Sequence, residues 1–286
     1  MPAASTRPRP ARRSPSLRRT SRGVLLGSYA AIILVPLTVV VFTSVKTTEQ
    51  TYAGPFAPPT DPTLGNYAEL LEGGRLTTNL MNSVIVTAAS VVITLVVSTL
   101  AAYGISRIHG WVGVTVFGAF ALGLAVPAQV AMIPQYVIIK QIGLTNSLLG
   151  LIIINVAVTI PVAVFILTGF LKTLPAELFE AAELDGAGAL RTYLSIAMPM
   201  ATPSVAAVAI FLFVMHWNDL LYPLLFITDP NKATLPKALL DFRGEYTVNY
   251  PVLFAGVLVA SAPMVLAYVF LQRWFVTGLT AGATKG

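Results

Sequence analysis

Six long apolar runs organise the chain, at residues 23–45, 83–106, 111–133, 148–171, 200–228 and 251–271. Each has at least 21 residues. That length crosses a hydrocarbon layer about 30 Å thick as an α-helix. The two-residue alternation of a transmembrane barrel is absent. The pattern therefore predicts an all-α integral membrane protein, a helical bundle of six spans. The polar stretch 46–82 carries the turn signals Gly54-Pro55, Pro58-Pro59 and Asp61-Pro62 and is too short for a separate domain.

Composition agrees with this pattern. Of 286 residues, 56% are hydrophobic and 10% charged, with a mean hydropathy of +0.77. Soluble domains carry about 25% charged residues. A water-soluble chain could not cover this much apolar surface, which excludes ordinary soluble enzymes and nucleic-acid binders. The sequence has no cysteine and only two histidines, His109 and His216, far apart in the chain. Disulfides, thiolate chemistry and a histidine metal site are not expected.

The position of the positive charge matters more than its sum. All 18 Lys and Arg residues lie outside the six runs. Twelve fall on 1–22, 107–110, 172–199 and 272–286, and six on 46–82, 134–147 and 229–250. The positive-inside rule then places both termini in the cytoplasm of a multi-pass cell-membrane protein. Residues 1–22, with seven arginines among Pro and Ser, are expected to form a disordered cytoplasmic tail. Such a tail sets topology or meets anionic lipid or ribosomal RNA. Residues 23–286 would form the membrane domain. The first run lacks a small-x-small cleavage site, so it reads as a retained span.

Catalytic patterns are missing. There is no G-x-x-x-x-G-K-[ST], H-E-x-x-H or G-x-S-x-G, and Gly186 and Gly188 form a lone G-x-G that follows no strand. No catalytic residue, metal or cofactor is expected. Among the spans the sole charged residue is Asp219. Ion-coupled transporters place several ionisable or coordinating groups in the membrane. Any uphill transport would therefore draw its energy from another chain.

The informative segment is the internal loop 172–199. Pro175 suits a first helical turn. Glu177, Glu180 and Glu183 then recur every third residue. Leu178, Ala181, Ala182 and Asp185 form a neighbouring face with small residues in its middle. Gly186 stops the helix, and a second short helix over about 188–198 would end before Pro199. Small alanines let such a helix seat closely on another protein, with glutamates pairing to arginines across the contact. A solvated amphipathic hairpin is the plainer reading.

Glu180-Ala181-Ala182, with Asp185-Gly186-Ala187 and the closing Pro199, resembles the E-A-A…G motif of binding-protein-dependent ABC importer permeases. Three further stretches resemble the carbohydrate branch, specifically the second permease of maltose-type systems. They are Trp217-Asn218-Asp219-Leu220-Leu221-Tyr222-Pro223, then Leu235-Pro236 with Tyr250 through Gly256, and the C-terminal run from Gln272 to Gly286. The likeness runs from about residue 23 to 286. It implies that the chain carries a sugar or oligosaccharide across the cell membrane and has no ATPase site of its own. It also implies a homologous second permease, two ATP-binding subunits and an extracytoplasmic solute-binding protein, with no nucleic-acid partner. Glu180, Ala181, Ala182, Asp185 and Gly186 would form the coupling helix that docks on the ATPase.

The fifth run is too long for one straight span, so a break is expected at Pro223. Before it sit His216, Trp217, Asn218, Asp219 and Tyr222, a cluster too polar to face lipid. Asn218, Asp219 and Tyr222 are candidates for the translocation route. The alternatives are interhelical hydrogen bonding and, for Trp217 and Tyr222, interfacial anchoring. Gln129, Gln135 and Asn155 read as local hydrogen-bonding residues, with Gln129 at a kink after Pro127. A secondary transporter and a non-transporting scaffold are the rival functions. The first is weakened by the scarcity of intramembrane charge and the second by the small-residue loop.

Overall fold

The structure is a computed structural model that describes residues 15–240 and 248–283. The described residues are overwhelmingly helical. The chain opens with α1 (Pro15–Ser44), followed by the short α2 (Thr48–Ala53) and α3 (Gly65–Leu71). Next come α4 (Arg75–Arg107), α5 (Gly110–Ala125), α6 (Ala128–Gln141) and α7 (Leu148–Leu171). The loop after α7 holds α8 (Ala176–Leu184) and α9 (Ala189–Thr192). Then follow α10 (Met198–Trp217), α11 (Leu221–Phe226), α12 (Leu235–Leu240) and α13 (Tyr250–Ala283). Among the described residues five helices are long and apolar enough to cross a membrane, and the α5–α6 pair brings the count to six if it is one broken span.

α4 and α7 form the spine of the bundle. The face α4 turns inward carries Ser83, Val86, Thr87, Ser90, Thr94, Ser98, Ala102 and Ile105, at helical spacing and mostly small. Small side chains let two backbones approach closely where no hydrophobic effect drives the helices together. α7 answers with Leu151, Asn155, Thr159, Ala163, Leu167 and Leu171. Thr94 and Thr159 meet across the seam at 3.3 Å between hydroxyl oxygens. α10 and α13 pack on this pair, and α1 lies against α13 with its apolar residues largely exposed.

Several boundaries differ from the sequence reading, each for a physical reason. Helix α1 begins at Pro15, so 15–22 is helical rather than disordered; residues 1–14 lie outside the described residues. The third run is bent by 99° between α5 and α6. Val126 precedes a proline and is driven to an extended conformation (φ −86°, ψ 115°), which ends α5 there. Gln129 does fall in the first turn after this kink. No helix ends before Pro199. Instead α9 runs through a π-helical turn, Tyr193–Ala197, into α10. Met198 donates its N–H to the Tyr193 carbonyl, and this wider turn accommodates a proline that has no N–H to give.

At the end of α4 remote from Arg107, polar side chains clamp the segment that follows α11. Ser83 Oγ accepts from the Leu235 N–H at 2.7 Å. Asn82 Nδ2 donates to the Asn231 and Ala233 carbonyls at 2.8 and 3.0 Å. At the same end Lys46 is fully buried and its Nζ donates to the Gly54 carbonyl at 2.9 Å. Asn66 Nδ2 donates to the Ser44 and Lys46 carbonyls, both at 2.8 Å.

Candidate functional sites: the exposed loop and the broken helix

The loop between α7 and α10 leaves the bundle at the Arg107 end of α4. Pro175 is the residue before α8 rather than within it, and Glu177 supplies the acidic first turn. The helix stops in a Schellman turn. Gly186 N–H donates to the Glu183 carbonyl at 3.0 Å, and Ala187 N–H donates to the Ala182 carbonyl at 2.9 Å. Closing this way requires positive φ at Gly186, which has φ +74°.

Glu177, Glu180, Ala181, Glu183, Asp185 and Gly186 are exposed, as are Leu178 and Leu184, the latter 90% exposed. Ala182 is not on that surface. It is 5% exposed and packs inward. The helical stripe therefore splits: Ala181 faces out and Ala182 seats the helix on its own bundle. Leu178 lies on the face the sequence predicts beside the glutamates, and exposed Leu184 adds a second apolar side chain that the spacing along α8 does not single out.

The fifth run breaks five residues before the expected proline. α10 ends at Trp217, and α11 begins at Leu221 with Pro223 in its first turn, where a missing N–H costs nothing. The break is made by two polar residues. Asn218 Nδ2 donates back to the Val214 carbonyl at 2.8 Å and closes α10. Asp219 Oδ1 accepts from the Tyr222 N–H, in the first turn of α11, at 3.3 Å. Asn218 is exposed and reaches Met264 Sδ at 3.8 Å. Asp219 is half-buried, and its Oδ2 is buried with no hydrogen-bond partner among the described residues.

Tyr222 is 7% exposed, and its hydroxyl donates to Gln135 Oε1 at 2.9 Å, tying α11 to α6. Gln135, read from sequence as a local residue, thus belongs to this cluster. Trp217 is 3% exposed, stacks on Phe213 and donates its indole N–H to the Ala260 carbonyl at 3.0 Å. Both rings are buried within the chain. His216 is buried, 3.5 Å from the Thr159 hydroxyl through Nε2. The cluster therefore separates into an exposed and half-buried pair, Asn218 and Asp219, and a buried set that holds helices together.

Fold and sites together define a multi-pass helical membrane protein with a polar helical hairpin at one end and a capped break in its fifth long helix. Residues 94–280 match the family of binding-protein-dependent transport system inner membrane components, and the chain belongs to that family. It is 32% identical to the melibiose/raffinose/stachyose import permease protein of Bacillus subtilis over 273 residues, covering 94% of this chain and 99% of the relative. It is 36% identical to the multiple sugar-binding transport system permease protein of Streptococcus mutans over 266 residues, covering 92% of this chain and 95% of the relative. A chain of a bacterial ABC transporter involved in import of the acidic polysaccharide alginate has the same fold. Its TM-score is 0.79 at 20% identity, over 96% of this chain and 100% of that one. The protein is a membrane permease of an ABC importer.

Proposed function

We propose that this permease carries a neutral sugar or oligosaccharide, works beside a homologous second permease, and has no ATPase site of its own. Two ATP-binding subunits supply the energy, and an extracytoplasmic binding protein delivers the solute. The observation that carries this reading is the exposed α8, with its Schellman turn, alanine, leucines and three glutamates, in a chain whose spans hold almost no charge. Glu180, Ala181, Asp185 and Gly186 are the docking face, with Ala182 as its inner support. Asn218 and Asp219 line the route, with Tyr222 bracing them. ATP-driven closure of the ATPases pulls α8 and switches access to the route from one side of the membrane to the other, so that fuel and gate lie on different chains. The names of the relatives support a carbohydrate, and the scarcity of charge supports a neutral one.

Proteoliposomes holding the complete complex test this reading with labelled melibiose, raffinose, trehalose and maltose. Uptake of at least one should require both ATP and the binding protein. Uptake driven by an ion gradient without ATP would contradict the proposal.

In this proposal both termini lie in the cytoplasm, with α8 on the same side. Ser14 and Thr284 lie outside the described residues, but a chain without cysteine makes them clean reporters. Single cysteines at these two positions should resist an impermeant reagent added to intact cells and react after the cells are opened. Labelling of either in intact cells would reverse the orientation.

A further inference from the structure

α8 is tied to the bundle by more than its two connecting loops. Phe179 projects from α8 toward the end of α4, and the Arg107 guanidinium carbon lies 3.8 Å from the centroid of its ring. That is well inside the range of about 6 Å over which a cation is held on an aromatic face. Phe179 also meets Tyr103 of α4, with ring centroids 6.5 Å apart. Tyr103 in turn meets Tyr193 of the π-helical turn, with centroids at 5.4 Å. Tyr193 hydroxyl and Thr99 Oγ1 are 2.8 Å apart, which closes the chain of contacts on α4. Tyr103 and Phe179 border an open groove of about 710 Å³ between α4 and the loop, flanked by Glu180 and Glu183. Arg107 Nη1 is buried there with no hydrogen-bond partner among the described residues. The guanidinium rests on the Phe179 face at the edge of that groove.

A docking helix hung only on loops would waste displacement, because the backbone at Gly186 and Gly188 can absorb it. A stacked contact to a 33-residue helix transmits it. We propose that Arg107 and Phe179 are positioning residues that hand the movement of α8 to α4 and, through Tyr103 and Tyr193, to the start of α10. This rests on the docking assignment but is separable from it, since neither residue belongs to the exposed face that would meet the ATPase.

The test uses the complex co-purified with its ATPase, in sealed vesicles with the α8 side outward, and a single cysteine introduced at the exposed Ser261, which borders the same groove as Asn218. The probe is an impermeant maleimide, with and without a non-hydrolysable ATP analogue. With Arg107 and Phe179 intact, the analogue should slow labelling by about tenfold, a usual size for coupling between sites. Phe179→Leu and Arg107→Gln should bind the ATPase and nucleotide normally while labelling becomes indifferent to the analogue. Phe179→Tyr, which keeps the ring, should restore the response. A purely packing role would alter abundance and leave the response per assembled complex unchanged. Retention of the response in both Phe179→Leu and Arg107→Gln overturns the proposal, and so does loss of ATPase association in either. Absence of any ATPase from the complex with both residues intact would instead sink the docking assignment itself.

Discussion

Glu180→Lys is expected to abolish transport by releasing the ATPase while the permease still inserts in the membrane. Glu180 stands exposed in the middle of α8, between Glu177 and Glu183, where an arginine of the ATPase can reach it. Removing one partner of a buried, hydrogen-bonded charge pair costs about 2–5 kcal/mol, and reversing the charge adds repulsion. The amount of ATPase recovered with the purified permease should fall by at least about tenfold, since each 1.4 kcal/mol is a factor of ten.

Gly186→Val acts on the same helix by a different cause. There is open space around the glycine, so no clash opposes the side chain. The cost is backbone strain at φ +74°, about 1–2 kcal/mol, with loss of the closing turn. Gly186→Ala should be milder. Normal ATPase recovery with Glu180→Lys and Gly186→Val together would remove α8 from the docking role.

The second large effect is expected at Asp219. Its Oδ1 accepts from the Tyr222 N–H in the first turn of α11, and losing one such hydrogen bond costs about 0.5–1.5 kcal/mol. Its Oδ2 is buried without a partner among the described residues, and a buried carboxylate oxygen left unpaired is costly. Asp219→Asn keeps the acceptor and removes the charge, whereas Asp219→Leu removes both. If the residue lines the route, Asp219→Leu should depress solute transport per assembled complex by about tenfold or more, while Asp219→Asn keeps part of it. If it only shapes the helix break, Asp219→Leu should lower the amount of complex, with each remaining complex working normally. Unchanged transport per complex for Asp219→Leu would strike Asp219 from the route.

How far these features were legible in the sequence follows from their physics. Spans were legible because a run of twenty apolar residues has few alternatives to crossing a membrane. The turn at Gly186 was legible because a helix followed by glycine at that position closes in a stereotyped way. The break in the fifth helix was misplaced because proline was taken as the breaker. In the structure Pro223 is harmless in a first turn, and the break is made where Asn218 closes α10 and Asp219 accepts from the first turn of α11. The bend at Val126-Pro127 was hidden by composition, since residues on both sides of it are equally apolar.

Other features depend on tertiary packing and have no local signature. Ala181 and Ala182 are the same residue type in adjacent positions, and only the seating of α8 on the bundle separates the exposed one from the buried one. Arg107 meets Phe179 across a long stretch of chain, and nothing near either residue announces the pair. Conversely, the motif from Gln272 to Gly286 was plain in sequence, but its side chains fall outside the described residues.

Site-specific photo-cross-linking from α8 tests the central claim most directly. A benzophenone-bearing residue at Leu184, 90% exposed on the loop, should give one dominant adduct in membranes. The partner identified by mass spectrometry should be a P-loop ATP-binding subunit. The same residue at exposed Leu149, in the first turn of α7 and thus at the far end of that helix, should give no such adduct. An ATP-binding subunit captured from Leu184 alone is the result the account predicts. Its absence from Leu184, or its capture equally from Leu149, would contradict the account.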